Sequence, residues 1–145
     1  MIESPIHIFA EQIDFALEDV SRSIDWLVDS IRDRGSEIDE VNIIFCSDEY
    51  LLQVNREHLD HDYYTDIITF PYEYDPIKAD LFISVDRIRD NAQEYGADVD
   101  TELHRVMLHG LLHMAGLGDK SPEEEKAMRA AENHYLTKWS ELKKK

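Results

Sequence analysis

Apolar positions along the chain alternate between a period of two and a period near three and a half, which predicts strands interspersed with helices. Pro5–Ala10 reads as a short strand. Ile13–Arg34 carries Phe15, Ile24, Leu27, Val28 and Ile31 at helical spacing, is interrupted by polar residues near Ser21 and ends at Gly35, so one long helix is expected there. Val41–Cys46 is strand-like, and Ser47 is placed to cap a helix running through Leu51, Leu52 and Val54. Thr65–Tyr72 and Leu81–Ser84 have strand composition, with Asp75-Pro76 marking a turn between them. Asp86–Tyr95 and Asp100–Ala115 have helical patterning, the first closed by Gly96. Ser121-Pro122-Glu123-Glu124 joins a capping box to a proline at the first helical position and opens a last helix through Met128, Ala131, Leu136 and Trp139. Four strands interspersed with helices predict an α+β or α/β domain, with helices laid over a small sheet, and α+β is the class expected.

A length of 145 residues suits a single domain over residues 1–145, and 43% apolar with 32% charged residues is ordinary for a soluble globular chain. The lone Cys46 sits in an apolar run and is expected to be a small core residue, which favours a reducing compartment. The start of the chain lacks the basic and long apolar regions of a signal peptide, and no apolar run approaches the roughly 20 residues of a membrane helix. A cytoplasmic protein with no membrane partner is expected.

A net charge of −17 opposes any broad phosphate-binding surface, because such binding depends on lysine and arginine. The charge is uneven, however. Ser121–Lys145 holds five acidic and six basic residues, so the acidity lies upstream. A nucleic-acid substrate would have to dock through a local patch or through a basic partner.

The stretch His109-Gly110-Leu111-Leu112-His113-Met114-Ala115-Gly116-Leu117-Gly118-Asp119 changes the picture. Two histidines four apart on a helix share one face and can reach one ion. Such a pair alone reads as surface or hydrogen-bonded residues. Gly116 and Gly118, which let the backbone reverse, and a carboxylate at Asp119 turn the reading toward a metal site with three protein ligands. Three ligands with a fourth position left for water is the catalytic arrangement of zinc. On the helix, Leu103, Met107, Leu111 and Met114 form a core-facing stripe, and Glu102, Arg105, His109 and His113 form the stripe beside it. The His-x-x-x-His core is similar to that of the zincin proteases, but Gly110 stands where their water-activating glutamate would be.

Over a longer span the chain resembles the YbeY-type rRNA maturation factors, metal-dependent endoribonucleases of bacteria. Their usual pattern is His-Gly-x-Leu-His-Leu-x-Gly-Tyr-Asp-His. Thr65-Asp66-Ile67-Ile68-Thr69-Phe70-Pro71 is similar to their Thr-Asp-Val-Leu-Ser-Phe-Pro strand, Asp80-Leu81-Phe82-Ile83 to their Asp-Ile-x-Ile strand, and Glu102 to Arg105 to their Glu-x-x-Arg run. The likeness extends from about Val41 to Glu132. There are departures: Asp119 replaces the third histidine, Gly118 replaces the aspartate before it, and Leu59 stands where the family has an arginine. Arg56, about one helical turn earlier, is a possible substitute, and is otherwise a solvated helix residue. Asn55 is a family-like polar neighbour, while His58 and His61 read as surface residues. The resemblance implies a central mixed sheet flanked by helices, cleavage of single-stranded RNA, processing of small-subunit rRNA ends and a role in ribosome quality control. Ribosomal proteins of the small subunit, being basic, would be natural partners for so acidic a chain, and DNA is not expected as a substrate.

The chemistry expected is phosphodiester hydrolysis assisted by one zinc ion on His109, His113 and Asp119, with Arg105, and second to it Arg56, stabilising charge on the phosphate. Arg105 also has a simpler reading as a helix-surface ion pair with Glu102. Two other functions compete. A zinc peptidase is disfavoured by Gly110, and a zinc-stabilised non-catalytic scaffold on the ribosome requires a fourth protein ligand or a site closed to substrate.

Overall fold

The computed structural model describes residues 4–143, so the first residues of the leader reading and the last two of the lysine tail lie outside it. In chain order the elements are β1 (Ile6–Glu11), α1 (Val20–Asp33), β2 (Ile38–Cys46), α2 (Asp48–Leu59), β3 (Ile67–Tyr74), β4 (Ile77–Ser84), α3 (Val85–Tyr95), α4 (Val99–Met114) and α5 (Pro122–Lys143). The four strands form one sheet in the order β1-β2-β4-β3. β1 and β4 both run parallel to β2, while β4 returns antiparallel to β3 after the turn at Asp75-Pro76, so the sheet is mixed as expected.

Strand alternation sorts the two faces of the sheet. Val41, Ile43 and Phe45 of β2 and Ile77, Ala79, Leu81 and Ile83 of β4 enter the main core with residues of α1, α3, α4 and α5. The opposite face is more thinly covered. There α2 packs Leu51 and Val54 against Cys46 and Ile68, with Tyr50, Phe70 and Phe82 half-buried around them.

α4 is enclosed more fully than its sequence stripe implied. Besides Leu103, Met107, Leu111 and Met114, it buries Val106, Leu108, Gly110 and Leu112, because β3 and β4 cover the Gly110 side while α1, α3 and α5 pack on the other flanks.

The expected helix over Ile13–Arg34 is shorter in the structure. It begins at Val20, where the Asp19 side chain accepts a hydrogen bond from the Arg22 backbone N–H and caps the first turn. The residues before it are held by packing instead: Leu17 is buried, and the Phe15 ring meets Phe45 edge-on at a 5.1 Å centroid separation. Apolar spacing alone does not distinguish such a tethered segment from a first helical turn. β4 also starts earlier than predicted, at Ile77, since Lys78 and Asp80 alternate with buried Ile77 and Ala79. The Ser121 cap is as read, its Oγ accepting from the Glu124 backbone N–H at 3.1 Å.

Candidate metal centre

α4 ends at the site. Its last two turns present His109 and His113, and the chain then reverses through Gly116, whose φ of 106° is left-handed backbone that favours glycine. The Leu117 N–H closes the reversal on the Leu112 carbonyl at 3.0 Å. Gly118, in contrast, has no positive φ, and the nearest atoms to a Cβ there belong to the flexible end of the exposed Glu124 side chain, so the reversal depends on Gly116 rather than on Gly118.

Asp119 comes back beside the two imidazoles. His109 Nε2 and His113 Nε2 are 3.1 Å apart, His113 Nε2 and Asp119 Oδ2 3.1 Å, and His109 Nε2 and Asp119 Oδ2 3.4 Å. All three side chains are half-exposed, and this is the one group of three or more metal-type ligands among the described residues. Ligand atoms about 2.0–2.1 Å from a tetrahedral ion lie about 3.3 Å from one another, so the trio fits a single such ion. The C-terminal end of α4 adds partial negative charge, which favours a cation.

Behind the ligands sits a carboxylate that lies outside the metal-site motif in the sequence. Glu132 of α5 accepts from His109 Nδ1 at 2.7 Å through Oε2 and from Arg105 Nη1 at 2.9 Å through Oε1, and its side chain is only 4% exposed. Burial pushes this carboxyl up, but the hydrogen bonds from His109 and Arg105 outweigh it and hold Glu132 below the ordinary carboxylate range. Burial likewise depresses His109, yet the Glu132 hydrogen bond, with the Glu132 and Asp119 charges, raises the ring above its ordinary value. Glu132 had a signal in the sequence. It occupies a core-facing position among Met128, Ala131, Tyr135 and Leu136, where a charged residue needs a partner.

Arg105 also bonds Asn133 Oδ1 at 3.0 Å and stands 3.8 Å from Glu102, so its main ion pair is with Glu132 rather than with its helix neighbour. With His109, Asp119, Glu132, Lys126 and Arg129 it lines a cleft of 540 Å³. Asp66, at the entry to β3, and Tyr95 of α3 also line it. Burial pushes the Asp66 carboxyl up, against the nearby His109 charge. In the sequence Asp66 stands out only as part of the strand motif Thr65–Pro71.

Arg56 lies outside this cleft, on α2, where it is exposed and paired with Asp62. Asn55 is buried and donates to the Tyr63 carbonyl at 2.9 Å, which fixes the loop after α2. His58 and His61 are exposed, as read.

Fold and site together define a small α+β domain with a histidine–aspartate cluster able to hold one metal ion at the mouth of a charged cleft. The family model described as endoribonuclease YbeY matches residues 6–140. Among curated proteins, the endoribonuclease YbeY of Bacteroides thetaiotaomicron is 51% identical over 113 residues, covering 77% of this chain and 82% of that protein. The endoribonuclease YbeY of Cytophaga hutchinsonii is 48% identical over 139 residues, covering 94% of this chain and 97% of that protein. The solution structure of TM1509 from Thermotoga maritima shares the fold, with a TM-score of 0.66 at 24% identity over 94% of this chain and 93% of that one. The chain belongs to the YbeY endoribonuclease family. Membership and the candidate triad together make it a metal-dependent nuclease.

Proposed function

We propose that this chain, acting as one domain over residues 1–145, cleaves single-stranded RNA in the maturation and quality control of small-subunit ribosomal RNA, with one zinc ion held by His109, His113 and Asp119. The observation that carries the ligand assignment is the convergence of two Nε2 atoms and one carboxylate oxygen within 3.4 Å of one another beside an open cleft. When bound, zinc supplies Lewis-acid polarisation and a nucleophile available at neutral pH.

The rest of the work falls to the protein. Arg105, with Nη1 on Glu132 and Nη2 on Asn133, is a preorganised cation on the cleft wall, suited to stabilising charge that develops on a phosphate. Lys126 and Arg129 add local positive potential in an otherwise acidic protein. Arg56 is the second phosphate contact in this reading; its exposed pair with Asp62 is of a kind worth little, so exchange for a phosphate costs little.

The competing readings lose ground on specific observations. Position 110 faces Ile67 and Leu81, so no side chain there can serve as the general base of a peptidase. A structural scaffold site would be closed, whereas these ligands are half-exposed at a cleft.

Partners in this reading are basic ribosomal proteins of the small subunit. A 630 Å³ groove on the thinly covered sheet face supports it, combining Glu49, Glu57 and Asp80 with Tyr50, Phe70 and Phe82, a chemistry suited to cationic side chains. The cytoplasm is the proposed location. The buried thiol of Cys46, which burial pushes up to about 12, is inert and suits a reducing compartment, and no described helix is long and apolar enough to cross a membrane.

The test is cleavage of single-stranded RNA by zinc-loaded wild type and His113→Ala side by side. Cleavage by the wild type that disappears in the variant is expected; equal cleavage by both would overturn the proposal.

A further inference from the structure

We infer that Glu132 is a positioning residue that uses one carboxylate oxygen to orient the His109 ring for metal binding and the other to hold the Arg105 guanidinium beside it. This rests on the reading of His109 as a ligand.

An ionised carboxylate only accepts, so the 2.7 Å contact from His109 Nδ1 to Glu132 Oε2 requires the ring proton to sit on Nδ1. In the neutral ring the lone pair is then on Nε2. That is the nitrogen 3.1 Å from His113 Nε2 and 3.4 Å from Asp119 Oδ2. The opposite tautomer would direct an N–H into the space the three ligand atoms share. Glu132 therefore selects the form of His109 able to bind an ion.

The second oxygen makes the arrangement more than a ligand support. Arg105 and His109 stand four residues apart on α4, and Glu132 reaches both from α5. With its side chain 4% exposed, the carboxylate is compensated by these two partners, while Arg129 stands farther off at 3.9 Å. Metal ligand and phosphate-facing cation are thus spaced by one carboxylate anchored on a different helix. Sequence distance hides this coupling, since 23 residues separate His109 from Glu132.

A glutamine at this position is nearly isosteric but has one acceptor oxygen and one NH2 group, so it cannot accept from His109 and Arg105 through two separate oxygens as the carboxylate does. If its oxygen stays with Arg105, its NH2 faces His109 Nδ1 and drives the ring proton to Nε2.

The experiment records ¹⁵N NMR of the histidine rings in metal-free protein, above the titration of the rings, for wild type and Glu132→Gln. It is joined to zinc affinity measured by competition with a chelator for wild type, Glu132→Gln and His109→Ala. His109 in the wild type is expected as the Nδ1–H tautomer, moving toward Nε2–H in Glu132→Gln, with zinc affinity about 10- to 100-fold weaker. An Nε2–H ring in the wild type would overturn the inference without recourse to any variant. Weakened zinc binding in His109→Ala with affinity unchanged in Glu132→Gln would overturn the role of Glu132 and leave the ligand reading standing. Unchanged binding in both variants would overturn both.

Discussion

Gly110 of α4 lies so close to Ile67 of β3 that a Cβ at this position would come within 2.8 Å of Ile67 Cδ1, with both Leu81 methyl carbons at 3.3 Å. Gly110, the residue that follows the first of the two histidines, therefore serves helix–sheet contact, and its side of α4 is turned away from the metal cluster. Gly110→Ala is expected to cost about 1–3 kcal/mol in overpacking against the roughly 1 kcal/mol that alanine gains over glycine inside a helix, for a net destabilisation of about 1 kcal/mol. Urea denaturation of metal-free wild type and variant checks this, and equal midpoints would show that the sheet yields without strain.

Removing a proposed ligand should separate metal binding from folding. His109 and His113 lie beside the buried stripe of α4, which is complete without them. His109→Ala and His113→Ala are expected to lose stoichiometric zinc while keeping the wild-type circular dichroism spectrum. Elemental analysis decides, and full zinc retention in both would remove these residues from the ligand set.

Asp119 admits a finer test, because imidazole and carboxylate both ligate zinc. Asp119→His is expected to keep zinc, and Asp119→Ala to bind it more weakly. Chelator competition across the three proteins would show one common affinity if Asp119 were not a ligand.

His104 gives the protein a pH-dependent stability unrelated to the site. It is buried, stacked on Trp139 at 3.8 Å between ring centroids, and bonded to Ser23 Oγ at 2.8 Å and the Asp100 carbonyl at 2.7 Å. Burial pushes its pKa below the ordinary 6.5, more than the nearby Asp100 raises it. The unfolded chain then takes up the His104 proton before the folded protein does. The contribution of His104 to stability is present above about pH 6.5 and is lost as the pH falls below it. Urea midpoints are expected to fall more steeply on acidification for wild type than for His104→Gln; parallel curves would refute the linkage.

RNA binding by the isolated protein is expected to be weak and only shallowly dependent on salt, because the cleft offers few cations. About two or three phosphate contacts give a log–log slope near −2, far from that of the 6–10 contacts of a broad basic surface. Arg105→Gln should reduce cleavage more than zinc content. A charge reversal would be less clean, since it would set a third carboxylate beside Glu102 and Glu132. A steep slope in a salt titration of RNA affinity would point to a wide basic surface and remove the need for a basic partner.

Local information determined most of the elements and the metal trio. Helical and strand periods place the core residues, Ser121 and Pro122 open α5, and His109, His113 and Asp119 lie within eleven residues, so a helix turn and one reversal are enough to gather them. The family likeness was legible for the same reason, because its motifs are contiguous. Where only tertiary packing distinguishes the alternatives, the pattern was ambiguous: Phe15 and Leu17 are apolar at helical spacing, yet Phe45 and the core hold them outside α1. The partner of Arg105 was decided the same way. Its helix neighbour Glu102 was the local choice, but the folding of α5 across α4 brings Glu132 to 2.9 Å and joins that carboxylate to His109 as well. Periodicity marks which face of a helix is buried; which residue from another helix meets that face is fixed only when the two pack together.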